Sequence, residues 1–520
     1  MENIKKVLLN ALKVFTLFLV ICVFYYATNV LHLFSAFSFG FLTVGGIFIL
    51  FFYMLYKKKL DKKEILIMIL LLGICLRFTY GGFNNIFSRQ HDVGKAMENG
   101  HYGYAVYIFR TLELPNFNDS QFYQPPLNAI IQALFMRFNS LIIPINEDIK
   151  ELYLMMFNEG RKFSYTNELI SYINTLYNTC RILSIFYSVI TFLTIYQIIN
   201  EFNLKDKPKY LILLIMATQP VLVMMSGTMN NDNLSFMFFF LALLYGIRWY
   251  KMQSYSNIIL IALFIGLGMI TKLSIGFIAF IIATLFLIRF IEKIKEKKYF
   301  KLIPQFLVFA IIVFPLGLSY AVRNYLLFDQ SFTYILDFGR DSWLHEVIKE
   351  KNIFERFFSL PISQLFHKTQ VIFHDYQEYN IWVDLIKTSI FEEFHYGHSP
   401  LACVFAGVMF LINLPYWLIL IPSIVFIIYK LIKKNYEGDK FLIILAIGLI
   451  ILALISYISL CIKMPYSCTS NFRYIAYISL GMIILYSLTL ENIKHKKLYD
   501  ISYFILGIFS MASSLFILFI

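Results

Sequence analysis

Apolar runs of about 20 residues recur from one end of this chain to the other, and nothing else constrains its fold so strongly. A run of that length crosses the hydrocarbon core of a bilayer as a helix. Backbone N–H and C=O groups in lipid have no water to bond, so each crossing segment must satisfy them internally. The runs fall at 7–29, 33–56, 64–83, 173–199, 209–225, 231–249, 257–270, 273–291, 302–322, 401–430, 440–462, 473–491 and 498–519. The expectation is an all-α integral membrane protein with about 13 transmembrane helices and two large outer loops carrying interfacial helices. Composition agrees. Charged residues make up 15% of the chain, against roughly 25% in soluble domains, and the mean hydropathy is +0.68. The first run follows "MENIKK" and suits an uncleaved span better than a signal peptide.

The net charge of +13 does not require a nucleic-acid partner. In a membrane protein, Lys and Arg gather in the cytoplasmic loops. "YKKKLDKK" (Tyr56–Lys63), "KDKPK" (Lys205–Lys209), "RWYK" (Arg248–Lys251), "EKIKEKKYFK" (Glu292–Lys301), "YKLIKKNYEGDK" (Tyr429–Lys440) and "KHKK" (Lys494–Lys497) all fall on one side if the runs alternate. That side is expected to be the cytoplasm. The outer face then carries two long loops, at about 82–171 and 323–400. Within the first, "PPLNAIIQALFMRF" (Pro125–Phe138) reads as a helix lying at or dipping into the interface. In the second, "WVDLIKTSIFEEF" (Trp382–Phe394) reads as an interfacial amphipathic segment. The abundance of Ile, Phe, Lys and Asn points to an AT-rich bacterial gene and a plasma-membrane location.

Unusual polar residues concentrate at the outer ends of the runs, whereas the inner loops are plain lysine clusters. The outer elements are "RQHDVG" (Arg89–Gly94), "FYQPPL" (Phe122–Leu127), "SGTMNNDN" (Ser226–Asn233), "TKLS" (Thr271–Ser274), "AVRNYLLF" (Ala321–Phe328) and "YSCTSNFRY" (Tyr466–Tyr474). Ionisable groups at membrane depth are costly and mark functional sites. Asp92 follows a span closely and reads either as a solvated loop acid or as a general base. Lys272 sits in a turn with almost no loop around it. It snorkels to the interface or is held for a phosphate, and the same pair of readings applies to Arg473 and Arg323. Asp232 suits both a helix cap and a cavity wall, the cap being favoured. The tandem prolines forbid a helix before them and stiffen an extended entry, so Tyr123 and Gln124 face whatever fills the cavity, together with His91. His91, Asp92 and His101 lack the regular spacing of a metal site, and the six cysteines show no metal-ligand spacing. No cofactor or metal is demanded.

Together these residues resemble the GT-C type of membrane glycosyltransferases, within it the broad family 39 group. That group includes protein O-mannosyltransferases and the aminoarabinose transferase acting on lipid A. The resemblance rests on an Asp soon after an early span, the "PPL" element, an "NxD" turn, a "TK" turn and a late "RY", and it covers about Ile65 to Leu490. It implies two extra N-terminal helices (1–63), a catalytic membrane domain (64–491) and a C-terminal helix (492–520). It also implies transfer of a sugar from a polyprenyl-phosphate donor to a glycan, lipid or protein acceptor on the outer face. Asp92 would be the base of a single inverting displacement, and Lys272, Arg473 and Arg323 would be the phosphate ligands. Such proteins often carry an acidic pair at the base. Here the sequence is His91-Asp92-Val93, so Glu98 or Asp119 replaces the second acid, or one carboxylate suffices. The absence of a P-loop and of G-x-G-x-x-G also favours a lipid-linked donor over a nucleotide one. The rival expectation is a multispan lipid or solute transporter or flippase, which would place paired polar sites along a midplane path.

The orientation is testable by itself. A reporter that folds only in the cytoplasm is expected to be active when fused after Lys298 and silent when fused after Asp329. The opposite pattern would invert the topology.

Overall fold

The computed structural model describes residues 2–87, 94, 99–116, 121–157, 166–332, 351–359, 361–366, 379–392, 399–436, 438–465, 469–493 and 495–520. Every regular element among the described residues is helical. Each of the expected apolar runs is a helix, but they are not equivalent. Among the described residues, ten helices are long and apolar enough to cross a membrane, from Leu9–Val30 to Lys496–Phe519. The run read as 209–225 is broken instead, because Asp206–Thr218 and Pro220–Gly227 meet at 54°. Tyr255–Met269 and Ile478–Asn492 have only 15 residues each. All 13 expected runs are thus helical; by length and composition ten of them, or up to 11 if the bent pair counts as one, are full-length spans among the described residues.

The two short helices border the turns that carry Lys272 and Arg473. At 1.5 Å per residue, 15 residues reach about 22 Å, well short of the ~30 Å hydrocarbon core. Tyr255–Met269 leads into the turn that carries Lys272, and Ile478–Asn492 follows the 3-10 turn Phe472–Ile475 that carries Arg473. Each cation thus sits in a turn that joins a short helix to a full-length one, Leu273–Lys295 after Lys272 and Lys440–Lys463 before Arg473.

The broken helix shows how backbone polarity is repaired away from water. Pro220 lacks an N–H, and the residue before a proline is pushed out of the helical region; Gln219 has φ −58° and ψ 119°. The Gln219 side chain accepts the N–H of Leu222 at 2.8 Å and so caps the second piece. The first piece ends in orphan carbonyls. Arg77, from Lys62–Phe83, donates to the carbonyls of Ala217 (3.1 Å), Met216 (3.3 Å) and its own Gly73 (2.8 Å). It is 1% exposed, and its guanidinium lies over the Phe192 ring at 4.7 Å. A cation at a helix C-terminus also meets the negative end of the helix dipole. One glycine matters for the same region: a Cβ on Gly81 would stand 2.5 Å from the Ser226 carbonyl, so only glycine lets this span approach the turn after the break.

Four basic loops meet at one end of the bundle through ion pairs. Lys62 binds Asp206 (2.5 Å), Lys205 binds Glu491 (3.2 Å), and Arg248 and Lys251 both bind Glu201 (2.8 and 3.3 Å). At the other end, Gly100–Thr111, Leu127–Ser140, Glu147–Met156 and Asn167–Thr179 pack around Tyr102, Phe109, Met136 and Leu176. The Leu127–Ser140 helix has 14 residues, too few to cross a bilayer. Its amphipathicity is inverted. Asn128, Gln132 and Asn139 are buried, while Leu134, Phe138 and Leu141 are exposed.

Arg77→Leu is expected to strip the break of its partners, at about 1–3 kcal/mol per buried carbonyl left unpaired. The check is thermal unfolding of purified protein in detergent. A clear fall in melting temperature supports this account, and an unchanged one refutes it.

Candidate active site

Four consecutive residues, Asn230 to Asn233, organise the end of the bundle opposite the basic loops. Asn230 accepts the N–H of Asp232 at 3.0 Å and donates to its Oδ2 at 3.1 Å. Asn231 donates to Gln124 Oε1 (2.7 Å) and to the carbonyl of Thr271 (3.0 Å), joining three outer segments through one amide. Asn233 donates to the Ser184 carbonyl at 2.6 Å. The buried stripe of the Leu127–Ser140 helix holds the turn from beneath: Asn128 reaches the carbonyls of Met229 and Asn230, and Gln132 that of Met229 (2.7 Å).

Asp232 lies in the first turn of the Asp232–Lys251 helix and is 3% exposed. The cap position belongs to Asn231, so the expected capping role of Asp232 is not what the structure shows. Its carboxylate is shared by two cations: Lys272 Nζ contacts Oδ1, and Arg473 Nη1 stands 3.5 Å from Oδ2. Arg473 is 4% exposed and donates to the Tyr474 hydroxyl at 2.8 Å. The Tyr474 ring also lies under Lys272 at 4.9 Å. Lys272 and Arg473, on two separate turns, thus converge on one carboxylate. The three charged groups line a small recess together with Ser235, Ser274, Ser456 and the rings of Phe236, Phe239 and Tyr477. Buried charges persist only when paired and hydrogen-bonded.

The proline segment borders this centre. Leu127 N–H bonds the Ile270 carbonyl at 3.0 Å, tying the start of its helix to the Lys272 turn. Gln124 reaches the centre through Asn231. Tyr123 is half-buried against Tyr320 and Ala321, and its carbonyl accepts from Asn324 at 3.1 Å. The Tyr104 and Tyr320 hydroxyls lie 2.8 Å apart. Arg323 is placed elsewhere: it donates to the Pro115 carbonyl and to Asn324, and it does not line the recess. Asp92 and His91 lie outside the described residues, as do Glu98 and Asp119.

Sequence reasoning missed the support behind Arg473. The helix Ile381–Phe391, expected to be interfacial and amphipathic, is buried along most of its length, including Asp384 and a 1%-exposed Lys387. It packs against the segment that enters Arg473. Thr388 Oγ1 accepts the Phe472 N–H (3.0 Å), and Ser470 donates to Asp384 Oδ2 (2.5 Å). Asn471 Oδ1 accepts the Arg473 N–H (2.7 Å). Arg356, on the outer helix Ile353–Phe358, donates to the Cys461 carbonyl at 3.2 Å. Burial lowers its guanidinium from the usual value, against the opposing pull of Cys461 and Asp384. The available signal was Asp384 and Lys387 at i, i+3 within an apolar stretch. Such a pair reads equally as a wet helix face.

A family model for dolichyl-phosphate-mannose-protein mannosyltransferases matches residues 163–318. The matched segment contains Asp232 and Lys272 and stops short of Arg323 and Arg473. No curated protein matches the chain. The family match supports a GT-C-like membrane glycosyltransferase.

Asn231→Asp turns two donated hydrogen bonds into contacts between acceptors beside an existing carboxylate. The expected cost is about 1–3 kcal/mol, read as a lower melting temperature. Asn231→Asp with wild-type stability would refute the amide's role as a junction.

Proposed function

We propose that the protein transfers a sugar from a polyprenyl-phosphate-linked donor to an acceptor on the outer face of a bacterial plasma membrane. The observation that carries this reading is the convergence of Lys272 and Arg473, from two separate turns, on one recess at the end of the bundle away from the basic loops. A lipid phosphate lies at headgroup depth, and two cations at the ends of membrane spans suit it. The basic loops gathered at the opposite end support an outward-facing recess by the positive-inside rule. A flippase would carry polar sites along its midplane; here the charged cluster stands at one end.

In the proposed step, the acceptor hydroxyl oxygen bonds to the anomeric carbon as the bond from that carbon to the phosphate oxygen breaks. The electron pair stays on the lipid phosphate, and the hydroxyl proton passes to Asp92. A carboxylate of ordinary basicity cannot ionise an alcohol beforehand, so Asp92 acts within the transition state. A single displacement inverts the anomeric centre. Lys272 and Arg473 offset the charge growing on the phosphate. Arg323, engaged with Pro115, steadies the outer loop. The sugar and the acceptor, whether glycan, lipid or protein, are set by the outer loops.

The test uses membranes containing the full-length protein and radiolabelled polyprenyl-phosphate hexoses, with free polyprenyl phosphate as the readout. Asp92→Asn is expected to cut release by about 10²–10⁴-fold, and Lys272→Met and Arg473→Met to reduce it as well. Wild-type protein that leaves a panel of such donors intact would overturn the reading in favour of transport.

A further inference from the structure

We propose that Asp232 sets which phosphate the recess retains: a singly charged phosphodiester in preference to a doubly charged phosphomonoester. The proposal rests on the reading of Lys272 and Arg473 as ligands of the donor phosphate. In a site built only to grip phosphate, a carboxylate between the two cations would be a defect, because it competes for both. Asp232 is fixed in that place. Asn230 holds its N–H and its Oδ2, Lys272 contacts Oδ1, and Arg473 stands 3.5 Å from Oδ2. The three side chains carry a net charge of one positive unit.

A polyprenyl-phosphate sugar is a phosphodiester with one ionisable oxygen, and it carries one negative charge at neutral pH. It neutralises the cluster. The polyprenyl phosphate left after transfer is a monoester whose second pKa is near 6, so it carries close to −2 near pH 7. While the acceptor's proton stays on the base, the total charge of the cavity has not changed. Once that proton is lost to solvent, the second phosphate charge has no partner. Phe236, Phe239, Ile275 and Tyr477 wall the recess, and an unmatched charge beside such walls is weakly screened. Asp232 thereby weakens the hold on the spent carrier while leaving enough positive charge to bind the loaded one.

The test measures binding of two probes to the full-length protein in neutral-lipid nanodiscs at pH 7.5: undecaprenyl phosphate and its methyl phosphodiester. Wild type is expected to bind the diester at least as tightly as the monoester. Asp232→Asn should shift the affinity ratio toward the monoester by about tenfold. The double variant Asp232→Asn/Lys272→Met restores one net positive charge, removes the buried pair together, and should return the wild-type ratio. That variant decides the matter even if Asp232→Asn alone does not fold. An unchanged ratio in folded Asp232→Asn, or a ratio unlike wild type in the double variant, overturns the proposal. If neither Lys272→Met nor Arg473→Met alters the affinity for either lipid, the phosphate reading itself falls, which is a separate outcome.

Discussion

The Asp232 carboxylate is buried at the end of a membrane bundle, and it is tolerable there because Lys272 and Arg473 reach it from two other turns. An acid stripped of water must find cations and hydrogen bonds or lose its charge. Much of the outer architecture follows from that demand. The two cations come from separate turns, each between a short helix and a full-length one, and both reach the acid. Asn230 fixes the carboxylate, Asn231 joins its turn to the proline segment and to the Lys272 turn, and the buried stripe of Leu127–Ser140 holds the carbonyls beneath. The broken helix before this turn puts Ser226 against Gly81, which fixes the depth of the whole turn.

The helices themselves were legible, because hydropathy reports the solvent of a segment directly. The common side of the basic loops was legible for the same reason, and the ion pairs among four of them give it a physical form. The break at Gln219-Pro220 was not, although the proline was visible. A run of apolar residues reads straight through a bend that Arg77 repairs from another helix. Asp232, Lys272 and Arg473 were each singled out by their odd position at a run's outer end. That they share one recess required contacts between distant turns, which no local pattern encodes. Asp92, the residue assigned the chemistry, lies outside the described residues.

The helix Ile381–Phe391 teaches the opposite lesson. Its charges looked like a solvated face because hydrophobic periodicity cannot distinguish water from a polar neighbour. The structure gives Asp384 and Thr388 a specific partner, the segment entering Arg473. Polar residues within a long outer loop thus serve as scaffold for a cation on a different segment. The same ambiguity concealed Asn128 and Gln132, whose spacing marks a stripe but not the direction it faces.

That stripe has a mechanical consequence. The Leu127–Ser140 helix grips the Met229–Asn230 carbonyls with one face and presents Leu134, Phe138 and Leu141 outward with the other. The same 14 residues thus hold the turn that carries Asp232 and supply an apolar outer face, so a change on either face of this helix is carried to the other through one rigid element.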